Sequence, residues 1–401
     1  MKIGILTFHK SINNGAVMQC YSLSKKLQEL FPDDNIEVID YHMPKAKKND
    51  TLTFKRHIKG RNPIVTLAKF LKFLLDPESY FFAKKRMIAF ESVADNYLPL
   101  SKEKIFDDGT EKLFEYINDN YDMVIAGSDA IWNYNMRGFP NPYFLDESIT
   151  VKKLSYAASC YGMSYEKIPH DQKEKISKIL STYSFLGVRD SESEKFVDFI
   201  GCTVPTTHTC DPTVFLDVNN LPIDEEKLKA KLSSNGFDFT KQSIAVMGTE
   251  AMCQMVRKMY GNKYQIVSLS NSCKSADVKL YEITPYEWAY CFRFFQITVT
   301  TFFHGTLLSL RNGVPVICIA LPSEYSKSHT TKVEDFLKRV GLEDNYFHTD
   351  CKTENIKKIK EKIDFYLSTD MHDEIVNRMN NEAESANIFF ERISKIKSEL
   401  E

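Results

Sequence analysis

"FQITVTTFFHGTLLSLRNGVPVICIAL", Phe295–Leu321, is the stretch on which the fold turns. It opens with β-branched residues, "FQITVTT", that read as a buried strand. Leucines 307, 308 and 310 then keep helical company, and Gly313 stands where a helix is closed by a residue of positive φ. "VPVICIAL" follows as a second strand. Strand, helix and strand in succession make a β-α-β unit, which implies parallel strands with helices covering the sheet. Ligands of such sheets collect beyond the carboxyl ends of the strands. His304 falls at such an end, in front of Gly305. An imidazole suits proton transfer near neutral pH. Gly305 lets a ligand approach the backbone, and the N–H groups of Gly305, Thr306 and Leu307 at a helix start favour an anion.

The same alternation runs outward to both termini. "KIGILTF" and "NIEVIDY" are strand-like, with "GAVMQCYSLSKKLQELF" between them at helical spacing. "YDMVIAG", "KLSYAAS" and "SFLGVRD" continue the strands, and Ser191 with Glu194 forms the pattern of a capping box. After a polar segment, "SIAVMG" and "YQIVSLS" begin a second set. Thr284-Pro285-Tyr286-Glu287 marks a strong helix start. The expected class is therefore α/β, with two Rossmann-like domains facing a central cleft. The expected divisions are 1–220, a linker at 221–242, a second domain at 243–371, and a C-terminal helix at 372–401 packing back on the first domain. Residues 52–90 interrupt the alternation. Within Phe54–Met87 nine Lys and Arg stand against two acids, among many Phe and Leu. That excursion reads either as helix with a solvated basic face or as a surface that meets anionic lipid.

Bulk properties exclude several classes. The 401 residues carry a formal net charge of −2, which argues against nucleic acid as a partner. Nine cysteines without a C-x-x-C pair fit a reducing, cytoplasmic setting and offer no thiolate metal site. No apolar run is long enough for a signal or a membrane span.

Three further motifs lie just after strands. "HKSINNGAVMQ" ends in a helix start, where Asn14 and backbone amides either hold a polar ligand or merely shape a turn. "AGSDAIWN" offers Ser128, Asp129, Trp132 and Asn133: one aromatic face plus several polar groups. That mixture suits a sugar, and equally suits a core tryptophan beside a helix cap. "GVRDSESE" puts Arg189 ahead of a helix N-terminus, a costly place for a cation unless an anion joins it. Asp190 is one candidate partner, an external phosphate or carboxylate the other.

Taken in order, "NNGAVMQCYSL", "VIAGSDAIWN", "SYAASCYG", "GVRDSES", "CDPTVFL" and "FFHGTLLSLRNGVPVI" resemble the polysaccharide pyruvyl transferase family, from about Lys2 to Leu342. The resemblance implies a GT-B-type fold and transfer of the enolpyruvyl carbons of phosphoenolpyruvate onto a sugar, giving a pyruvate ketal in surface polysaccharide biosynthesis. It implies His304 as general acid, Arg189 and the helix start at Gly305 and Thr306 as donor contacts, and a sugar or lipid-linked acceptor. Phosphoenolpyruvate is a co-substrate, and no metal or organic cofactor is implied. Members of the family often carry an arginine two residues before the histidine. Here that residue is Phe302, and Lys327, Arg311 and Lys332 are the cations available to compensate. Lys332, after the last strong strand, is the best placed. Two other functions fit the same cleft: a glycosyltransferase-like enzyme with a nucleotide-sugar donor, and an inactive carbohydrate-binding relative.

Overall fold

A computed structural model describes residues 1–11, 13–43, 63–75, 90, 93, 96–107, 109–269, 273–280, 283–322 and 330–400. In the first half, β1 (Lys2–Leu6) leads through helix α1 (Asn14–Leu30) to β2 (Asn35–Val38). Short strands β3 (Tyr41–His42) and β4 (Ile105–Phe106) pair separately, with helix α2 (Pro63–Leu75) between them in sequence. The main sheet continues with β5 (Met123–Asp129), β6 (Lys152–Ala158) and β7 (Phe185–Val188). Helix α3 (Ser191–Phe199) and β8 (Thr206–His208) complete it. The strand order is β2-β1-β5-β6-β7-β8, all parallel.

The second half repeats the plan. It contains β9 (Ser243–Met247), β10 (Gln265–Leu269), β11 (Val278–Leu280) and helix α4 (Pro285–Cys291). There follow β12 (Ile297–Thr300), helix α5 (Phe303–Arg311), β13 (Val316–Ala320), helix α6 (Lys332–Arg339) and β14 (Tyr346–His348). Their order, β11-β10-β9-β12-β13-β14, reverses direction between β9 and β12, which is where doubly wound sheets form a ligand crevice. Parallel strands must be buried on both faces, and Ile244, Val246, Ile266, Val299 and Ile317 are all inaccessible to solvent.

Local chemistry explains the boundaries. Thr284 and Glu287 make both bonds of a capping box, with Pro285 at the first helical position. Gly313 closes α5 at φ 70°, a conformation that glycine adopts without strain. At α3 the expected Ser191–Glu194 box is not the cap. Asp190 takes that role, its carboxylate accepting the Ser193 N–H at 3.0 Å, because Ser191 is already helical.

Beyond β14, helices α7 (His372–Ala383) and α8 (Asn387–Leu400) return to the first half. Phe389 is fully buried with its ring 4.8 Å from that of Tyr156 in β6, and Lys397 pairs with Asp34 at 2.9 Å. The polar segment between the halves contains a helix, Glu225–Ser234. Of the basic excursion at 52–90, only α2 and Phe90 fall among the described residues; Lys55, Arg56, Lys84 and Lys85 lie outside them, as does Lys327. Among the described residues no helix is long and apolar enough to cross a membrane.

Because Phe389 fills space against Tyr156 and Phe185, Phe389→Ala leaves a cavity under the C-terminal helix. It should lower unfolding free energy by about 3–5 kcal/mol, read from urea denaturation.

Candidate functional site

Arg189 follows β7 with only 1% of its surface exposed, so its charge needs partners. Three carboxylates supply them from the carboxyl edge of the sheet. Nη1 donates to Asp211 Oδ2 at 3.1 Å, Nη2 lies 3.7 Å from Asp129 Oδ1, and Nε lies 3.9 Å from Asp190 Oδ2. Burial opposes the guanidinium charge, but Asp211, Asp129 and Asp190 outweigh it and push the pKa up. Asp190 is held mainly by the helix cap and by the Ser159 hydroxyl, which donates to it at 2.5 Å. The Nε and Nη2 donors of Arg189 make no hydrogen bond. A buried guanidinium with open donors is suited to an anionic group.

His304 lies in the first turn of α5 and reaches across to the first half. Its Nε2 stands 3.6 Å from Asp211 Oδ2, within ion-pair range but without a hydrogen bond. On its other side the ring lies against Gly15 at the start of α1; a Cβ there would come within 2.0 Å of Nδ1. Gln19, one turn further along α1, donates to Asp211 as well. Asp211 itself caps a short turn, accepting from the Thr213 amide at 3.1 Å and hydroxyl at 2.7 Å. Burial alone would raise its pKa, but His304, Arg189 and Thr213 hold the carboxyl well below the usual carboxylate range.

Phe303 joins the two cations of the site. Arg189 Cζ lies 5.4 Å from its ring centre and Lys332 Nζ 5.2 Å, with the Tyr161 ring 5.5 Å from the same ammonium. Burial first, and the neighbouring Arg189 second, lower the pKa of Lys332. Lys332 opens α6, whose cap is Thr331. The fold thus gathers Arg189, His304 and Lys332 around Phe303 and Asp211. Arg311 is engaged elsewhere, donating to the Leu216 carbonyl at 2.7 Å and to Asn380 at 2.9 Å.

Some expected contacts are placed differently. Helix α5 begins at Phe303, so the Thr306 amide bonds to the Phe302 carbonyl at 3.0 Å, and the Thr306 hydroxyl bonds to the same oxygen. Thr306 is inaccessible, and its donors are not offered to a ligand. Gly305 serves packing: a Cβ would lie 2.8 Å from Thr300 Oγ1 and 2.9 Å from Met247 Sδ, so its absence lets α5 settle against β9 and β12. Phe302 precedes the helix, gives no side-chain cap and is 43% exposed. Trp132 is wholly buried, stacked 6.2 Å from Phe144, and presents no face to a sugar. Asn133 donates to the Tyr161 carbonyl at 2.5 Å, tying down the loop whose ring meets Lys332. Asp129 borders Arg189. Asn14 Oδ1 and Ser128 Oγ are buried without hydrogen bonds. No local signal in the sequence marks Asp211, Gln19, Gly15 or Phe303 as site residues; "CDPTVFL" contains Asp211, but only the fold sets it between two basic groups.

Residues 13–323 match the family described as polysaccharide pyruvyl transferase, and the chain belongs to that family. The match makes it a transferase that acts in polysaccharide modification. No curated protein sequence matches it significantly. Among solved structures, it is similar to the UDP-GlcNAc 2-epimerase of Neisseria meningitidis bound to UDP-GlcNAc, at 10% identity and TM-score 0.55, covering 98% of this chain and 100% of that one. It is also similar to the wall teichoic acid polymerase TagF, at 12% identity and TM-score 0.51, covering 100% of this chain and 90% of the other. These likenesses show the GT-B architecture, two parallel-sheet α/β domains.

The Asp211 carboxyl has a folded pKa below its unfolded value of about 3.9. Its ionised form therefore stabilises the fold above about pH 4, and that contribution fades as pH falls further. Asp211→Asn should lower stability near neutrality by about 3 kcal/mol, since it leaves Arg189 short of its nearest partner. Urea denaturation across pH 6 to about pH 3 should then show a shallower decline for the variant than for the wild type.

Proposed function

We propose that this member of the polysaccharide pyruvyl transferase family takes phosphoenolpyruvate as donor and forms a pyruvate ketal on a sugar. The observation that carries the reading is the convergence of His304, Arg189 and Lys332 on Phe303 and Asp211, with the Arg189 Nε and Nη2 donors open. A donor bearing phosphate and carboxylate matches two cations of different shape, a planar fork and a point charge. Lys332 supplies a positive charge near the helix start that Phe302 does not, which supports it as the compensating residue.

In this mechanism His304 Nε2 gives its proton to the methylene carbon of phosphoenolpyruvate. Positive charge develops at C2, and a sugar hydroxyl adds there, forming a C–O bond. A second hydroxyl then attacks C2 as the C–O bond to phosphate breaks. One hydroxyl proton restores His304 and the other leaves with phosphate, so diol and phosphoenolpyruvate yield ketal and inorganic phosphate. Asp211, ionised and 3.6 Å from Nε2, stands beside the proton donor without hydrogen-bonding to it. Gly15 fixes the ring's position from the opposite half. Asn14, Ser128 and Asp129, on the first-half edge of the cleft, are the groups assigned to the acceptor.

The acceptor is assigned as lipid-linked at the cytoplasmic face of the membrane. Helix α2 exposes Leu67, Leu71 and Leu74 along one stripe, within the sequence excursion rich in Lys and Arg. Leu67→Glu with Leu71→Glu should reduce co-sedimentation with anionic phospholipid vesicles several-fold; unchanged sedimentation would remove the membrane part of the proposal.

Phosphate release from phosphoenolpyruvate with a panel of sugar acceptors tests the chemistry. His304→Ala should lower kcat at least about 100-fold, while Lys332→Ala should act mainly by raising KM for phosphoenolpyruvate. Release of nucleoside diphosphate from a nucleotide sugar, with none of phosphate from phosphoenolpyruvate, would replace this reading by glycosyl transfer.

A further inference from the structure

Outside the Arg189 cluster, the carboxyl ends of β1 and β2 bring together His9, Asp40 and His42. His9 Nε2 lies 3.0 Å and His42 Nε2 2.6 Å from the same oxygen, Asp40 Oδ1. Lys10 Nζ lies 3.0 Å from that oxygen and 3.1 Å from Oδ2. Asp40 and His9 are almost wholly buried, and His42 is largely so. The surroundings fix the three side chains. The Asp40 amide donates to the Ser101 hydroxyl at 2.9 Å, and the His42 ring stacks on Phe106 at 4.9 Å. His9 Nδ1 stands 3.3 Å from the Thr7 carbonyl, an acceptor, so this nitrogen carries a proton. His9 Nε2 lies against the Asp40 carboxylate at 3.0 Å, a contact that either a ring proton or a bound metal ion can bridge. His42 Nε2, although near the same oxygen, makes no hydrogen bond of acceptable angle.

We propose that His9 Nε2, His42 Nε2 and the Asp40 carboxylate bind a divalent transition-metal ion of the zinc type. All three ligand atoms lie within 4.8 Å of one another. Around a tetrahedral ion with bonds of about 2.0–2.2 Å, neighbouring ligand atoms stand about 3.3–3.6 Å apart, so the two imidazole nitrogens, 3.0 and 2.6 Å from Asp40 Oδ1, need to draw back only slightly to admit one. Two imidazoles select transition ions over magnesium or calcium, which take oxygen ligands. The Thr7 carbonyl holds His9 in the tautomer that metal ligation needs. Lys10 retains some exposure and occupies the carboxylate from the solvent side; the ion takes over its charge as the ammonium swings outward. Three protein ligands leave a coordination position open at the strand ends, able to accept a phosphate or hydroxyl oxygen.

The test uses the full, untagged chain, stripped with a chelator and titrated with Zn²⁺ or Co²⁺. Elemental analysis should find one equivalent per chain, and Co²⁺ should give a visible spectrum of nitrogen and oxygen ligation. His42→Ala, the least buried of the three, and His9→Gln should each weaken binding at least about tenfold, while Lys10→Ala should bind as tightly as the wild type or more so. Circular dichroism of each variant establishes that it is folded, and His42→Ala decides if His9→Gln is not. Failure of the wild type to bind a stoichiometric ion, thiolate charge-transfer bands from the cysteines, or unchanged binding in a folded histidine variant would overturn the proposal. Because the readout is metal binding, its failure leaves the donor assignment untouched.

Discussion

Burial of the Arg189 guanidinium is the constraint around which the site is built. A guanidinium at 1% exposure is costly to bury unless carboxylates surround it, and those that do come from three places in the chain: the end of β5, the start of α3, and the turn after β8. Their convergence fixes the edge of the first sheet. Asp211 then faces His304 from the other half, so one carboxylate serves both the arginine and the histidine. The same geometry leaves two guanidinium donors without hydrogen bonds, and an anion is the natural group to meet them.

The halves meet through packing as well as charge. The apolar cluster that holds β1 and α1 extends without a break into α4 and α5, and Tyr21 stands edge-on to Tyr286 at 4.9 Å. Helices α7 and α8 close the arrangement by carrying the chain back to the first sheet. His304 is therefore positioned by its own helix, by the carboxylate edge and by α1 together.

Much of the architecture was legible in sequence because its signals are local. β-branched runs, Gly313 and the Thr284–Glu287 box each act within a few residues, and each appears where expected. The shift of the cap from Ser191 to Asp190 is a one-residue matter of where helical dihedrals begin. Site roles were less legible, for reasons particular to each residue. Trp132 satisfied a composition suited to sugar, yet the sheet edge folds it into the core against Phe144. Gly305 reads in sequence as an approach for ligand, whereas the space it frees is filled by Thr300 and Met247. Asp211, and the trio of His9, Asp40 and His42, depend on contacts between distant segments, which no spacing rule encodes. Lys332 is legible in sequence through the position of its segment after a strand, and its ammonium and the Arg189 guanidinium lie over the same Phe303 ring.

Gly15 has a bearing on how sequences of this kind can be sorted. Any side chain at that position would occupy the volume of the imidazole, since even a methyl group would reach to 2.0 Å from Nδ1. A chain of the same fold that keeps the histidine but carries a larger residue in place of this glycine must hold its ring in another pose. The pair therefore works as a two-letter diagnostic, readable from an alignment, that separates relatives able to assemble this particular arrangement from those that share only its scaffold.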